Sequence, residues 1–228
     1  MNYFRCGGGS KKQSEGFIYN TSPCAFNTGY IPNANTKIIM KALPTYYIMN
    51  GTSSNNTMFG ATPNGDANKY KRFGFVSSAN NNIPAFNRAG EFKFGSYAGY
   101  PNNADSLIVS APLIFEAYGR TIKWYFPDDE QNYKSISIPE ETGQIEAGIT
   151  TIALFGKNYS PYEGNFFVTD YGLMTLYYFD IYENDVLLHH FIPAYNNNQY
   201  CLYDTVNGEY KYDTYNNGAN VRGFVPTT

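Results

Sequence analysis

The chain holds few residues that could carry acid–base or metal chemistry. Its only two histidines, His189 and His190, are neighbours. Neighbouring side chains of a strand point to opposite faces, so these two cannot bind one metal ion together. We expect one of them to pack inward and the other to face solvent. No G-x-S-x-G turn for a serine nucleophile is present. The sequence therefore predicts no metal site and no cofactor.

Three groups of acidic residues were candidates for a catalytic carboxylate pair, because retaining glycosidases need two carboxyl groups about 5–5.5 Å apart. Asp180 and Glu183 are three residues apart, which places them on opposite faces of a strand. Acidic residues 128–130 follow a proline and indicate a loop, while Glu140 and Glu141 are adjacent. A glycan hydrolase or lyase is therefore the least favoured function, and we predict a non-enzymatic protein.

Exposed aromatic side chains are the other residues that could bind a ligand, since sugars stack on aromatic rings in many binding sites. The candidates for carbohydrate binding are Trp124 and Tyr125 on one predicted strand, and Tyr97 and Tyr100 in a glycine-containing segment. Core packing is the alternative for Trp124, because it alternates with Lys123. An ordinary loop is the alternative for Tyr97 and Tyr100.

The composition predicts strands as the elements that position these residues. Charged residues make up 15% of the 228, while 23 tyrosines and 17 phenylalanines favour strands over helices. The formal net charge is −3, without a basic stripe, so we expect no nucleic-acid partner. The three cysteines form no C-x-x-C pair, which excludes a zinc knuckle by spacing.

Alternation of apolar and polar residues recurs from Phe17 onward and predicts an all-β, two-sheet antiparallel β-sandwich over residues 17–228. One stretch, with Tyr177, Phe179 and Ile181, is predicted to place all three side chains on one face. Asn184-Asp185 and Asn207-Gly208 predict hairpin turns, the latter of type I′. We expect Pro193 to end the strand that follows the first of these turns. A short helix is possible after Pro139.

Residues 1–16 differ from the rest and predict a short N-terminal arm, in which three glycines at positions 7–9 form a flexible hinge. Tyr3, Phe4, Arg5 and Cys6 are the candidate anchors for docking on another protein. A frayed terminus is the alternative. We see neither a secretion signal nor an apolar run long enough for a membrane span, so we expect synthesis in a cytoplasm and no membrane insertion.

Several short segments of the sequence resemble segments of a known family. They are AFNTGYIPNANTKI at residues 25–38, MFGA at 58–61 with FGF at 73–75, LFGKN at 154–158, YFDIYENDVLL at 178–188, FIPAY at 191–195 and LYDTVNGEY at 202–210. Together they resemble the laminin-G-like, concanavalin-A-like jelly-roll domains of bacteriophage structural proteins and related bacterial surface proteins. The phrases occur in the family's order over about 200 residues, and the first 16 residues are not covered.

The resemblance implies a non-enzymatic bacteriophage virion protein with a lectin-like domain: a head fibre, a capsid decoration or a tail-associated module. Its expected partners are other virion proteins of the capsid or tail, with host-surface glycans as further candidates, and its expected location is the virion. A homo-oligomer is the expected assembly. The alternative is a carbohydrate-binding module of a bacterial protein that mediates adhesion to glycans.

Overall fold

The computed structural model describes residues 15–44, 55–65, 71–78, 88–94, 97–99, 111–137, 148–215 and 218–226. The arm up to residue 14, the segment after Pro139 and Tyr100 lie outside these residues, so the predictions about them stay predictions. Within the described ranges, no helix is long or apolar enough to cross a membrane.

The described residues form two β-sheets. The larger sheet has ten strands, which are β1 (Phe17–Asn20), β3 (Thr36–Pro44), β8 (Leu113–Tyr118), β9 (Thr121–Tyr125), β10 (Lys134–Ser137), β14 (Met174–Glu183), β15 (Val186–Asn196), β16 (Gln199–Asp204), β17 (Glu209–Lys211) and β18 (Val221–Phe224). Its spatial order is β10-β9-β8-β3-β14-β15-β16-β17, and β1 lies between β14 and β18.

The smaller sheet has eight strands, which are β2 (Phe26–Asn27), β4 (Asn55–Ala61), β5 (Phe73–Ser78), β6 (Arg88–Phe94), β7 (Tyr97–Gly99), β11 (Ala153–Leu154), β12 (Lys157–Asn158) and β13 (Val168–Thr169). Neighbouring strands in both sheets run antiparallel, except that β12 pairs with β4 in parallel at Asn158 and Ala61. The all-β sandwich predicted from the alternation is confirmed.

The core lies between the two sheets, and phenylalanines are its largest fully buried side chains. Strand β3 shows the cause, because every second residue from Thr36 to Pro44 is buried. Rings of the smaller sheet meet rings of the larger one: Phe59 lies 5.6 Å from Phe179 between ring centroids, and Phe75 lies 5.6 Å from Phe115. These aromatic contacts hold the two layers together.

The predicted hairpins of the C-terminal third are confirmed, with one change of turn type. Asn184 and Asp185 have φ values of 50° and 61°, as a type I′ turn requires. In the hairpin between β16 and β17, only Gly208 has a positive φ, at 71°, so the predicted type I′ turn at Asn207 is wrong. The side chain of Asn207 instead donates hydrogen bonds to Asp204 and to the carbonyl of Leu188.

A β-bulge in β14 corrects the face that the alternation assigned to Tyr177. Leu176 pairs with Ala42 and Tyr178 pairs with Lys41, so Tyr177 is the extra residue. Phe179 and Ile181 are fully buried in the core, whereas the ring of Tyr177 lies 6.0 Å from Phe17 on the other side of the sheet. The bulge therefore turns two successive tyrosines, Tyr177 and Tyr178, away from the core.

Strand β15 continues past Pro193, which was expected to end it. Pro193 pairs with Leu202 of β16, and the strand runs to Asn196. The pairing of β15 with β14 stops at Phe191, so position 193 has a ladder on one side only. A proline is tolerated at such an edge position because no neighbouring strand on the unpaired side requires a hydrogen bond from its missing N–H group.

The packing of the two sheets predicts the effect of truncating their central contact. Phe179→Ala should lower the free energy of unfolding by about 3–5 kcal/mol, because it leaves a cavity in the core. Phe59→Ala should have a similar effect, and the double variant should lose about 0.5–1.5 kcal/mol less than the sum, because the two rings touch. Denaturant unfolding measures all three.

The matched control is Tyr162→Ala, since that side chain is 69% exposed. It should change the free energy of unfolding by less than about 0.5 kcal/mol. Strict additivity of Phe59→Ala and Phe179→Ala would contradict the packing of the sheets described above.

Candidate functional site

The outer face of the larger sheet, meaning the side that points away from the smaller sheet, carries polar and aromatic groups that could bind a ligand. On strands β9, β8, β3 and β14, the pairing registers align these side chains in three rows that run across the strands. Because side chains on one face alternate, neighbouring rows lie about 7 Å apart along the strands.

The first tyrosine row consists of Tyr125, Ile114, Lys41 and Tyr178. The second tyrosine row, four residues further along each strand, consists of Thr121, Tyr118, Lys37 and Tyr182. Tyr118 is 54% exposed, whereas Tyr178 and Tyr182 are partly buried by their neighbours. Tyr118 therefore offers an exposed ring, while Tyr178 and Tyr182 are only partly accessible.

The polar row lies between the two tyrosine rows and consists of Lys123, Glu116, Ile39, Asp180 and His190. The ammonium group of Lys123 lies 2.6 Å from a carboxylate oxygen of Glu116. At the other end, Nδ1 of His190 lies 2.5 Å from a carboxylate oxygen of Asp180. Burial raises the pKa of Asp180, although the hydrogen bond and the charge of His190 act in the opposite direction.

Each lysine of these four strands makes two contacts that fix its position. Lys123 lies 5.2 Å from the ring centroid of Tyr125 in addition to its ion pair with Glu116. Lys37 lies 3.7 Å from Asp185 and 5.5 Å from the ring centroid of Tyr182.

The third lysine, Lys41, pairs with Glu15 and lies 5.1 Å from the ring centroid of Tyr177. Cation–π contacts and ion pairs together hold the lysines of the face in place.

The hydroxyls of Tyr178 and Tyr125 stay protonated around neutral pH. Burial raises the pKa of Tyr178 to about 12, and the nearby carboxylates of Asp180, Glu15 and Glu116 add to the effect. The pKa of Tyr125 is also raised, by burial first and then by the charge of Glu116, to which its hydroxyl donates a hydrogen bond of 3.1 Å. These hydroxyls can therefore both donate and accept hydrogen bonds.

His189 and His190 point to opposite faces, as predicted. His189 lies on the core side of β15, where its ring stacks on Phe191 at 5.4 Å between centroids. Its Nδ1 lies 2.7 Å from a carboxylate oxygen of Asp204, which is completely buried. Each histidine thus pairs with an aspartate on its own side of the sheet, so neither stands alone in solvent.

Asp204 organises the turn between β16 and β17. Its carboxylate accepts hydrogen bonds from the backbone N–H groups of Val206 and His190, at 3.1 and 3.2 Å, and from the side chain of Asn207 at 2.7 Å. Burial alone would raise the pKa of Asp204, but the hydrogen bonds from Asn207, His189 and His190 outweigh it and hold that pKa below its ordinary value.

The structure separates Asp180 from Glu183, as their spacing predicts. Asp180 pairs with His190 on the outer face, while a carboxylate oxygen of Glu183 accepts a hydrogen bond of 2.8 Å from the hydroxyl of Tyr30. In the part of the chain that the structure describes, no cluster of His, Cys, Asp and Glu could hold a metal ion.

Two of the predicted carbohydrate-binding residues, Trp124 and Tyr125, are buried. Trp124 is 4% exposed and packs against Phe75 in the core, as the core-packing alternative predicts, so it has no free ring face for a sugar. Tyr125 is 9% exposed and contributes to the outer face mainly through its hydroxyl. Tyr97 begins strand β7, not a loop.

Tyr100 and the anchor candidates Tyr3, Phe4, Arg5 and Cys6 lie outside the described residues. Sequence reasoning did not consider Tyr178 and Tyr182 as ligand residues and considered Asp180 only as a catalytic carboxylate, although all three alternate with the core residues Phe179 and Ile181. That alternation was the available signal: a ligand-binding face of a sheet is found among the residues between the core positions.

A separate cavity of about 510 Å³ lies beside the turn between β15 and β16 and is lined by Tyr195, Gln199, Tyr200 and Arg222, among others. The buried carboxylate of Asp213 shapes the loop beside it by accepting hydrogen bonds from the backbone N–H groups of Tyr215 and Gly218, at 3.0 and 3.2 Å. Tyr195 has the same orientation on β15 as the core residue Phe191, so the outer face does not include it.

Comparison with known proteins adds no relative: no family model matches the chain, and no curated protein matches it.

The hydrogen bonds to Asp204 predict a pH-dependent effect of Asp204→Asn. The side-chain amide introduced by this change can place its own N–H groups against those of Asn207, which removes a hydrogen bond. The variant should therefore lose about 2–3 kcal/mol of unfolding free energy at neutral pH. The folded-state pKa of Asp204 lies below its unfolded-state pKa of about 3.9. The stabilisation by this carboxylate is therefore complete above the unfolded-state pKa and is lost as the pH falls through the folded-state pKa. Urea unfolding at neutral and acidic pH measures the difference.

The matched control for this variant is Asp185→Asn, because the side chain of Asp185 is 78% exposed. It should cost less than about 0.5 kcal/mol at either pH. A loss from Asp204→Asn that stays the same in acid would show that the charge of this carboxylate does not stabilise the fold.

Proposed function

We propose that this chain is a non-enzymatic structural protein of a bacteriophage particle: a capsid decoration, a head fibre or a tail-associated module with a lectin-like jelly-roll domain. The proposal rests on the resemblance of six phrases, in order, to such domains. In this chain those phrases supply strands and turns of the sandwich, so the likeness lies in residues that determine a fold.

The main support for the proposal is the structural role of residues 202–210, the segment whose resemblance is the most specific. Its aspartate, Asp204, accepts the hydrogen bonds that shape the turn, and its glycine, Gly208, takes the positive φ that closes it. The first phrase behaves in the same way, because Thr36 receives a hydrogen bond from the backbone of Asn33 at 2.8 Å. Matching such residues over most of the chain favours a common domain over chance.

The carboxylates of the outer face support a non-enzymatic role. Glu116 accepts hydrogen bonds from Tyr125 and Lys123, and Asp180 is paired with His190. A general acid or base needs a carboxyl group that is open to the substrate and aligned with a second one. Both of these groups are engaged with side chains of the protein.

We assign the attachment to the particle to the N-terminal arm. Tyr3 and Phe4 would bury aromatic surface against a capsid or tail protein, with Arg5 and Cys6 beside them, and the glycines at positions 7–9 would let the sandwich reorient. Copies of the chain would then be arranged by the symmetry of the particle, as a homo-oligomer.

The proposal predicts that purified particles of the source virus contain this chain at a fixed copy number. Quantitative mass spectrometry of gradient-purified particles measures it. The double variant Tyr3→Ala/Phe4→Ala should reduce incorporation at least tenfold without changing the thermal midpoint of the isolated protein, whereas Tyr162→Ala should be incorporated normally. Absence of the chain from purified particles would overturn the proposal.

A carbohydrate-binding module of a bacterial protein is the second candidate function. The observation that favours it is the outer face of the larger sheet, where tyrosine hydroxyls, carboxylates and a histidine lie side by side. This mixture of apolar ring surface and hydrogen-bonding groups is what sugar recognition uses.

The second candidate predicts selective binding of the fluorescently labelled chain to a subset of glycans on an array, competed by the same free glycans. The unfolded chain serves as the control for non-specific adhesion by its tyrosines. No competable binding to any glycan would count against this function.

A further inference from the structure

We infer that the polar row and the two tyrosine rows on the outer face of β9, β8, β3 and β14 form a binding site for an extended, neutral glycan chain. The inference deepens the second candidate function and rests on it. It assigns a site to side chains that the carbohydrate candidates of the sequence did not include: Asp180, His190, Glu116, Tyr178 and Tyr182.

The arrangement of the rows matches the two kinds of surface that a sugar presents. Hydroxyl groups of a sugar need donors and acceptors, which the polar row supplies through the carboxylates of Glu116 and Asp180 and the imidazole of His190. The C–H surfaces of a sugar need aromatic contact, which the tyrosine rows supply on both sides of the polar row. A chain lying along the polar row would touch both rows.

The length of the site indicates several sugar units rather than one. From Lys123 on β9 to His190 on β15, the polar row crosses five neighbouring strands. Four strand spacings correspond to about 19 Å. A ligand that uses the whole row is therefore an oligosaccharide or polysaccharide that crosses the strands.

The charges of the face favour a neutral glycan over an acidic one. The three lysines Lys37, Lys41 and Lys123 are each paired with a carboxylate. Asp180 adds a further acidic group, whose partner is a histidine. A polyanionic ligand needs positive charges that are not already paired with carboxylates, and the carboxylates of this face would repel it. Uncharged hydroxyl groups meet no such repulsion.

The polar row is partly exposed, from 12% for the side chain of Asp180 to 33% for that of His190, and already ordered. The side chains of Lys123 and Glu116 are 28% and 20% exposed, and that of His190 is 33% exposed. Their ion pairs and cation–π contacts fix them before any ligand arrives. Little side-chain freedom remains to be lost on binding, which favours affinity for a ligand that makes only weak individual contacts.

The test measures binding of the purified full chain to soluble polysaccharides by affinity electrophoresis and calorimetry. The neutral probes are hydroxyethylcellulose, galactomannan and dextran, and the acidic probes are polygalacturonate and chondroitin sulfate. We expect a neutral probe to bind with an affinity that changes less than twofold between low salt and about 0.5 M salt.

Two variants of the face and one control locate the binding. Tyr182→Ala and Asp180→Asn should each weaken binding at least tenfold, and Asp180→Asn keeps the side-chain volume if the alanine variant folds poorly. The control is Tyr195→Ala, which removes a tyrosine that is 56% exposed on the same sheet but beside the separate cavity. It should change the affinity less than twofold.

Each other outcome overturns the inference in a distinguishable way. Neutral binding that persists in both face variants, or that is lost in Tyr195→Ala, would overturn the location but leave the carbohydrate-binding function standing. Salt-sensitive binding of the acidic probes alone would overturn the ligand class. No binding to any probe would overturn the inference together with the second candidate function, while incorporation into particles would still test the virion proposal independently.

Discussion

The contact between aromatic side chains of the two sheets is the interaction on which the rest of the structure depends. Phe59 and Phe75 of the smaller sheet reach Phe179, Phe115 and Trp124 of the larger one. A chain with 15% charged residues has few ion pairs to rely on, so the burial of these rings supplies most of the stabilisation. Once β14, β8 and β9 turn these residues inward, the residues between them must face outward.

The bulge at Tyr177 shows how a backbone irregularity shapes the candidate site. Without the bulge, the side chain of Tyr177 would point toward the core, as those of Phe179 and Ile181 do. With it, Leu176 and Phe179 both remain buried while Tyr177 and Tyr178 both face outward. Tyr177 then contacts Lys41, and Tyr178 lies 6.2 Å from the ring of His190. Bulges are frequent next to functional sites because they redirect a side chain without changing the fold.

The alternation of residues was sufficient to predict the sandwich, most of its strands and the separation of Asp180 from Glu183, because side-chain direction along a strand follows directly from sequence. It failed at Tyr177 and Pro193, where pairing with a neighbouring strand decides the outcome. The alignment of Glu116 with Asp180 could not be predicted either, since it depends on the register of β8, β3 and β14, which are far apart in sequence. Trp124 lies in the core, as the core-packing alternative drawn from its alternation with Lys123 predicts.

We propose the outer face of the larger sheet, rather than its core side or the separate cavity, as the surface that contacts a ligand. Hydroxyl-radical footprinting of the full chain, alone and saturated with a bound polysaccharide, tests this claim most directly. We expect the bound polysaccharide to protect Tyr118, Tyr178 and Tyr182 from oxidation. Tyr162 and Tyr195 should react as they do without ligand, and Trp124 should stay unreactive in both states. Protection of Tyr195 with full reactivity of Tyr118, Tyr178 and Tyr182 would contradict it.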